Sequence, residues 1–205
     1  FIDGKYHDIP ETVEGHVREV TQSGASLITV HAAGNVPMLE AAVRGREKGK
    51  ELITDVYKRS SLDRIGGLLG ITVLTSLDFD DCVSIFGIDE NDHDGKRKKV
   101  VQFANMALDA GLDGIVCSSI EVDAIRSNSN FDSLLTVVPG ITPTFAEKAG
   151  DQKATGTPAG AINRGADLLV VGRGINKAAD YGLTKAEAAQ AIADEIGDAL
   201  SGRGQ

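Results

Sequence analysis

Three stretches of the chain put polar, reactive side chains where a strand would hand over to a loop. The first is Asp3-Gly4-Lys5-Tyr6-His7-Asp8-Ile9-Pro10-Glu11-Thr12. Residues two apart on a strand share a face, so Asp3 and Lys5 project together, with Asp8 just past the strand end. Two carboxylates beside one ammonium keep a lysine charged and oriented, which suits a proton donor; a Schiff-base amine needs a depressed pKa instead. The same residues would equally make a plain strand-end salt bridge followed by a helix N-cap at Asp8. Spacing alone does not choose between the two.

The second stretch is Val138-Pro139-Gly140-Ile141-Thr142-Pro143 with Gly150-Asp151-Gln152 behind it, and the third is Val171-Gly172-Arg173-Gly174. Glycine lets a backbone approach a phosphate closely, and arginine supplies a two-pronged donor. Loops after the last two strands of a barrel commonly build such a site. Each string alone is an ordinary turn; following consecutive apolar runs, the pair points to a phosphorylated ligand.

The other polar run ends are His31, Thr75-Ser76 and Ser118-Ser119. A lone histidine at a strand end is expected to be a hydrogen-bonded core residue, and His31 is read that way. No Gly-x-Ser-x-Gly elbow occurs, and Gly66–Gly70 precedes an apolar run instead of joining a strand to a helix, so it is no dinucleotide fingerprint. The acidic run Asp89–Gly95 has Val101 where a calcium loop needs its closing glutamate, and it reads as a solvated helix start.

The elements that must hold these residues alternate. Short runs at Ala25–Ala32, Leu68–Leu77, Gly114–Ser118, Leu134–Pro139 and Asp167–Gly172 are apolar on nearly every residue, as strands covered on both faces are, and Phe1–Tyr6 reads as a further strand already under way. Between them lie helical patterns at Pro10–Ser23, Val36–Lys48 and Lys96–Ala110. A last one is opened by the capping box Thr184-Lys185-Ala186-Glu187. Glu47–Ile65 is polar and is expected to be a surface excursion with room for a short helix. Six βα units emerge from this count, giving an α/β fold: either an open six-stranded sheet, or a barrel lacking two of the eight units that closure requires.

Composition narrows the classes. The 205 residues carry 21 Lys+Arg against 30 Asp+Glu, a net charge of −9, which disfavours a nucleic-acid or polybasic membrane surface. With no Trp and 4% aromatic residues there are few stacking platforms for single strands. No apolar run is long enough to span a membrane. Two cysteines, Cys82 and Cys117, fit buried thiols in a reducing compartment, and with four scattered histidines they make no structural zinc set.

Taken in order, Asp3-x-Lys5-x-x-Asp8-Ile9-Pro10-x-Thr12, Val30-His31-Ala32, Val73-Leu74-Thr75-Ser76, Val116-Cys117-Ser118, Pro139-Gly140-Ile141, Gly150-Asp151-Gln152 and Val171-Gly172-Arg173 resemble the bacterial orotidine 5'-phosphate decarboxylases. The resemblance covers nearly the whole chain. It implies a (β/α)8 barrel acting as a cytoplasmic homodimer that converts orotidine 5'-phosphate to uridine 5'-phosphate and CO2, with no cofactor and no metal. Lys5 would be the proton donor, and Asp3 would lie against the departing carboxylate. Asp8 and Ile9 would reach the neighbouring subunit's active site, with Thr12 contributing there. Leu74 would line the substrate site, Ser118 or Ser119 would address the pyrimidine, and Gln152 and Arg173 would hold the phosphate in a loop shaped by Pro139 and Gly172. The resemblance also implies one domain over residues 1–205, beginning at the family's third strand and so without its first two. Thr142 stands where bacterial members often carry an arginine.

Two other readings compete. Magnesium-dependent sugar-phosphate decarboxylases and aldolases of the same superfamily share the Asp-x-Lys-x-x-Asp strand, and a barrel remnant would bind a nucleotide without turnover. The Ile-Pro-x-Thr continuation and Gly-Asp-Gln favour the nucleotide enzyme.

Overall fold

A computed structural model describes residues 1–54, 65–146 and 156–202. Two compact units are distinguishable, one of Phe1–Val116 with Asn130–Leu134, the other of Cys117–Ser129 with Leu135–Gln205.

The first unit alternates strand and helix from its first residues: β1 (Ile2–Tyr6), α1 (Pro10–Gln22), β2 (Leu27–His31), α2 (Asn35–Glu51), β3 (Gly67–Ile71), α3 (Phe79–Phe86), α4 (Gly95–Ala110) and β4 (Gly114–Val116). Its strands pair in parallel in sequence order. Both faces of β2 and β3 are covered, which is why their sequences are apolar throughout: Ile28, Val30, Leu68 and Leu69 are all fully buried. Val13 and Val17 of α1 and Met38, Leu39 and Ala42 of α2 complete this core.

Helices α1 and α2 approach until backbone meets backbone. A Cβ on Gly45 would stand 2.4 Å from the carbonyl oxygen of Glu14. The glycine therefore sets the crossing distance. Glu14 then ties the two helices electrostatically, accepting from Arg44 at 3.1 Å and from Lys48.

The β1–β2 ladder is irregular. Ile2 pairs with Ile28 and Tyr6 with Val30, so four steps along β1 match two along β2. The surplus forms a bulge within which Lys5 takes a left-handed backbone, φ 47°.

The second unit holds α5 (Val122–Arg126), β5 (Leu135–Val138), α6 (Pro158–Arg164), β6 (Leu168–Leu169), α7 (Arg173–Asn176) and α8 (Lys185–Gly202), with β5 and β6 parallel. Asp167 fastens the start of this pair, accepting from the Thr136 N–H at 2.7 Å and from Arg126. The capping box of α8 is formed: the Thr184 N–H donates to Glu187 at 2.8 Å, and the Glu187 N–H donates to the Thr184 hydroxyl at 3.2 Å.

Several sequence expectations need correction. The run Leu68–Leu77 is a strand only to Ile71; Thr72 turns away, its N–H and hydroxyl both donating to the Val116 carbonyl. Helix α2 continues to Glu51, so the expected excursion at Glu47–Ile65 begins as helix, and its residues 55–64 lie outside the described ones. Asp8 is not the N-cap of α1. Ile9 holds that position, while the Asp8 carboxylate accepts from the Ile9 N–H at 2.7 Å. In the acidic run, Asp92 is paired with Lys98 and Asp94 with Arg97.

Candidate active site

The first cluster runs along β1 and β2 toward their C-terminal ends. Lys5 is ion-paired with Asp3 through Nζ and Oδ2, so the shared face expected from the spacing is realised despite the bulge. Both side chains are roughly half exposed, at 42% and 48%, and so remain open to a ligand. Behind them lies Thr29, fully buried on β2. Its hydroxyl donates to Asp3 Oδ1 at 2.9 Å and accepts from the Lys5 N–H at 2.9 Å.

Two imidazoles flank this pair. The ring centroids of His7 and His31 are 5.4 Å apart. Burial pushes the His31 pKa down first, and the nearby His7 and Lys5 charges push it further, against a smaller opposing pull from Asp3. The expectation of a hydrogen-bonded core histidine is thus corrected: His31 is half-buried and stacks toward His7 beside the Asp3–Lys5 pair.

Asp8 and Ile9 lie just beyond. Asp8 makes no ion pair among the described residues, so the lysine is held by one carboxylate of this chain, not two. Ile9 is 63% exposed. Thr12 is half-buried in the first turn of α1, its N–H donating to the Ile9 carbonyl. Leu74 lies in the loop after β3, partly exposed.

The second unit carries the loops with phosphate-binding composition. Pro139 and Gly140 follow β5, and Gly172 and Arg173 follow β6. The two loops touch: a Cβ on Gly174 would stand 2.7 Å from Pro143 Cγ, so only glycine permits the contact. Arg173 is exposed and its guanidinium has no hydrogen bond or ion pair among the described residues. Glu195 of α8 braces the region, accepting from the Thr144 N–H at 3.4 Å and the Ala159 N–H at 3.3 Å. Gln152 lies outside the described residues, so its place in this grip is not seen.

The two candidate serines after β4 differ. The Ser118 hydroxyl is buried with no hydrogen-bond partner among the described residues, while its N–H donates to the buried Glu121 carboxylate at 2.8 Å. Ser119 is packed under Gly156, where a Cβ would come within 2.1 Å of its hydroxyl. Just before them, burial pushes the Cys117 thiol up to about 12.

Comparison with known proteins gives the chain a family. The sequence model of the Orotidine 5'-phosphate decarboxylase / HUMPS family matches residues 1–195. The chain belongs to this family. An orotidine 5'-phosphate decarboxylase of Anaeromyxobacter sp. (strain K) is 45% identical over 195 residues, covering 94% of this chain and 73% of the relative. One from Maridesulfovibrio salexigens is 39% identical over 201 residues, covering 96% and 75%. The crystal structure of orotidine 5'-phosphate decarboxylase from Lactobacillus acidophilus superposes with a TM-score of 0.70 at 32% identity, covering 95% of this chain and 73% of that one. The six βα units are therefore those of the TIM-barrel architecture that this decarboxylase family shares.

Within that family frame, the residues that sequence reasoning missed are Thr29 and, as a neighbour of the lysine, His31. The signal for Thr29 was one hydroxyl in an otherwise apolar strand end, Leu27-Ile28-Thr29-Val30-His31, too slight to read without the β1–β2 register.

Proposed function

We infer that the chain decarboxylates orotidine 5'-phosphate to uridine 5'-phosphate, the step that completes de novo UMP synthesis. The observation that carries this reading is the Asp3–Lys5 ion pair at the end of β1, in a chain 45% identical to a decarboxylase of that name.

In this reading the bond from the pyrimidine ring to its carboxylate breaks, CO2 leaves, and the electron pair stays on the ring carbon. That carbon takes a proton from the Lys5 ammonium, which solvent then restores. Asp3 serves twice: it orients the ammonium, and its negative charge beside the substrate carboxylate favours departure of CO2. A fixed ammonium costs no reorganisation as the carbanion forms, which is how a site without an electron sink gains rate. Arg173, with Gln152, grips the phosphate, Pro139 and Gly172 shape its loop, and binding energy at the phosphate is available to assemble the reacting end. Ser118 is the better candidate for the base, since its hydroxyl is unpartnered among the described residues whereas Ser119 is packed under Gly156. Leu74 is taken as a substrate-binding residue.

The working form is taken to be a cytoplasmic homodimer. Asp8 has no cationic partner and Ile9 is exposed among the described residues, which supports their reaching a neighbouring subunit's site with Thr12. Among the described residues no helix is long and apolar enough to cross a membrane.

The test is to follow the absorbance loss of orotidine 5'-phosphate in the presence of a chelator, with the unsubstituted chain and Lys5→Ala side by side. Turnover that survives the chelator and vanishes in the variant supports the reading. Turnover that needs magnesium, or that persists without Lys5, overturns it.

A further inference from the structure

We propose that Thr29 is the positioning residue of this site, a single buried hydroxyl that fixes both the carboxylate of Asp3 and the backbone that carries the Lys5 ammonium. The inference rests on the proposed decarboxylase reading and deepens it.

The geometry begins with the bulge. Lys5 lies within the register slip between Ile2 and Tyr6, where the β1–β2 ladder is irregular. Lys5 also sits at φ 47°, a backbone that costs a side-chain-bearing residue of order 1 kcal/mol or more unless its surroundings hold it there. There the Thr29 side-chain hydroxyl accepts from the Lys5 N–H at 2.9 Å.

That acceptance sets the direction of its own proton. With one lone pair engaged by Lys5, the hydroxyl donates its hydrogen to Asp3 Oδ1, also at 2.9 Å. Asp3 is left with its other oxygen, Oδ2, for the Lys5 ammonium. The three residues thus close a ring, from Lys5 N–H to Thr29, to Asp3, to Lys5 Nζ. The ring joins the lysine's backbone to its own side-chain charge.

Two properties make threonine suited to the place. It is fully buried, so water does not compete for either bond. It is β-branched, and its χ1 is stiff, so the hydroxyl direction is fixed before a ligand arrives. A hydroxyl that fixes the acid–base pair without touching substrate should act on the chemical step far more than on binding.

The experiment uses the full chain with Thr29→Val, which keeps shape and removes the hydroxyl, and Thr29→Ser, which keeps the hydroxyl. We expect kcat to fall by about 10- to 100-fold in the valine variant, with KM and uridine 5'-phosphate affinity changed less than about threefold, and the serine variant to return to within a few-fold of the original. Amide hydrogen exchange at Lys5 is measured on the same samples and needs no turnover. Protection lost in Thr29→Val and kept in Thr29→Ser sustains the proposal, even if the unsubstituted chain turns nothing over, in which case the decarboxylase reading alone fails. Unchanged Lys5 protection in the valine variant overturns it. So does a loss confined to KM, or a serine variant as impaired as the valine one.

Discussion

At the scale of single residues, the clearest asymmetry is between Lys5, held by its neighbours, and Arg173, held by none of the described residues. A guanidinium left without a partner is ready for a bidentate anion. Arg173→Ala should therefore weaken uridine 5'-phosphate binding by about tenfold or more while leaving uridine almost unaffected, as titration calorimetry with both ligands would reveal. Equal effects on the two would detach Arg173 from the phosphate. His31 makes a second prediction, through pH. Its folded pKa is lowered, so near pH 6.5 the unfolded chain binds more protons than the folded one. Stability from this site is then fully present above about 6.5 and is lost as pH falls below it toward the depressed folded value. His31→Gln should flatten the urea midpoint between pH 7 and 5.5, and a slope equal to the parent's would remove His31 from the account. The Asp3–Lys5 pair was legible because strand periodicity of two is a local rule. Thr29 and the His7–His31 contact were not, because each depends on a bulged pairing that brings positions more than twenty residues apart together.

At the scale of elements, what the sequence hides is what is short. Helices α3, α5 and α6 run eight, five and seven residues, too few turns for a 3.6-residue period to register. Helix α3 is written instead in its first turn: Asp78 accepts from the Asp81 N–H at 2.9 Å, and Asp81 accepts from the Asp78 N–H at 3.2 Å. Asp78→Ala should cost about 1 kcal/mol, visible as a lower urea midpoint at unchanged slope. The long helices and the buried strands were readable, since α1 and α2 repeat their apolar stripe over at least three turns. Their crossing is less forgiving than the stripe suggests. Gly45→Ala would push a methyl against the Glu14 carbonyl, and the helices must part or bend to admit it, at about 1–3 kcal/mol. A thermal melt of that variant indistinguishable from the parent's would mean that the crossing yields freely.

At the scale of the whole molecule, the chain order of strands was legible but the grouping was not. Asn130–Leu134 joins the first unit although the residues on both sides of it belong to the second, a long-range association with no local signature. Charge acts at this scale too. Glu14, Asp89 and Glu187 all have lowered pKa values, held down by Lys48, by Asn91 and by Thr184 respectively as the leading causes. Their stabilisation is present above the unfolded carboxylate range and disappears as pH falls through the lower folded values, so acid unfolding should begin where His31 protonates and deepen below about pH 4.5. The two buried cysteines carry one more consequence. Cys82 lies in the first unit and Cys117 in the second, and neither forms a disulfide. A thiol buried in the interior reacts with an aromatic disulfide reagent only during the moments when its surroundings open. The protein is therefore supplied with two native clocks, one per unit. The ratio of their labelling rates, read by peptide mass, reports whether the units open together or in turn, with no probe introduced.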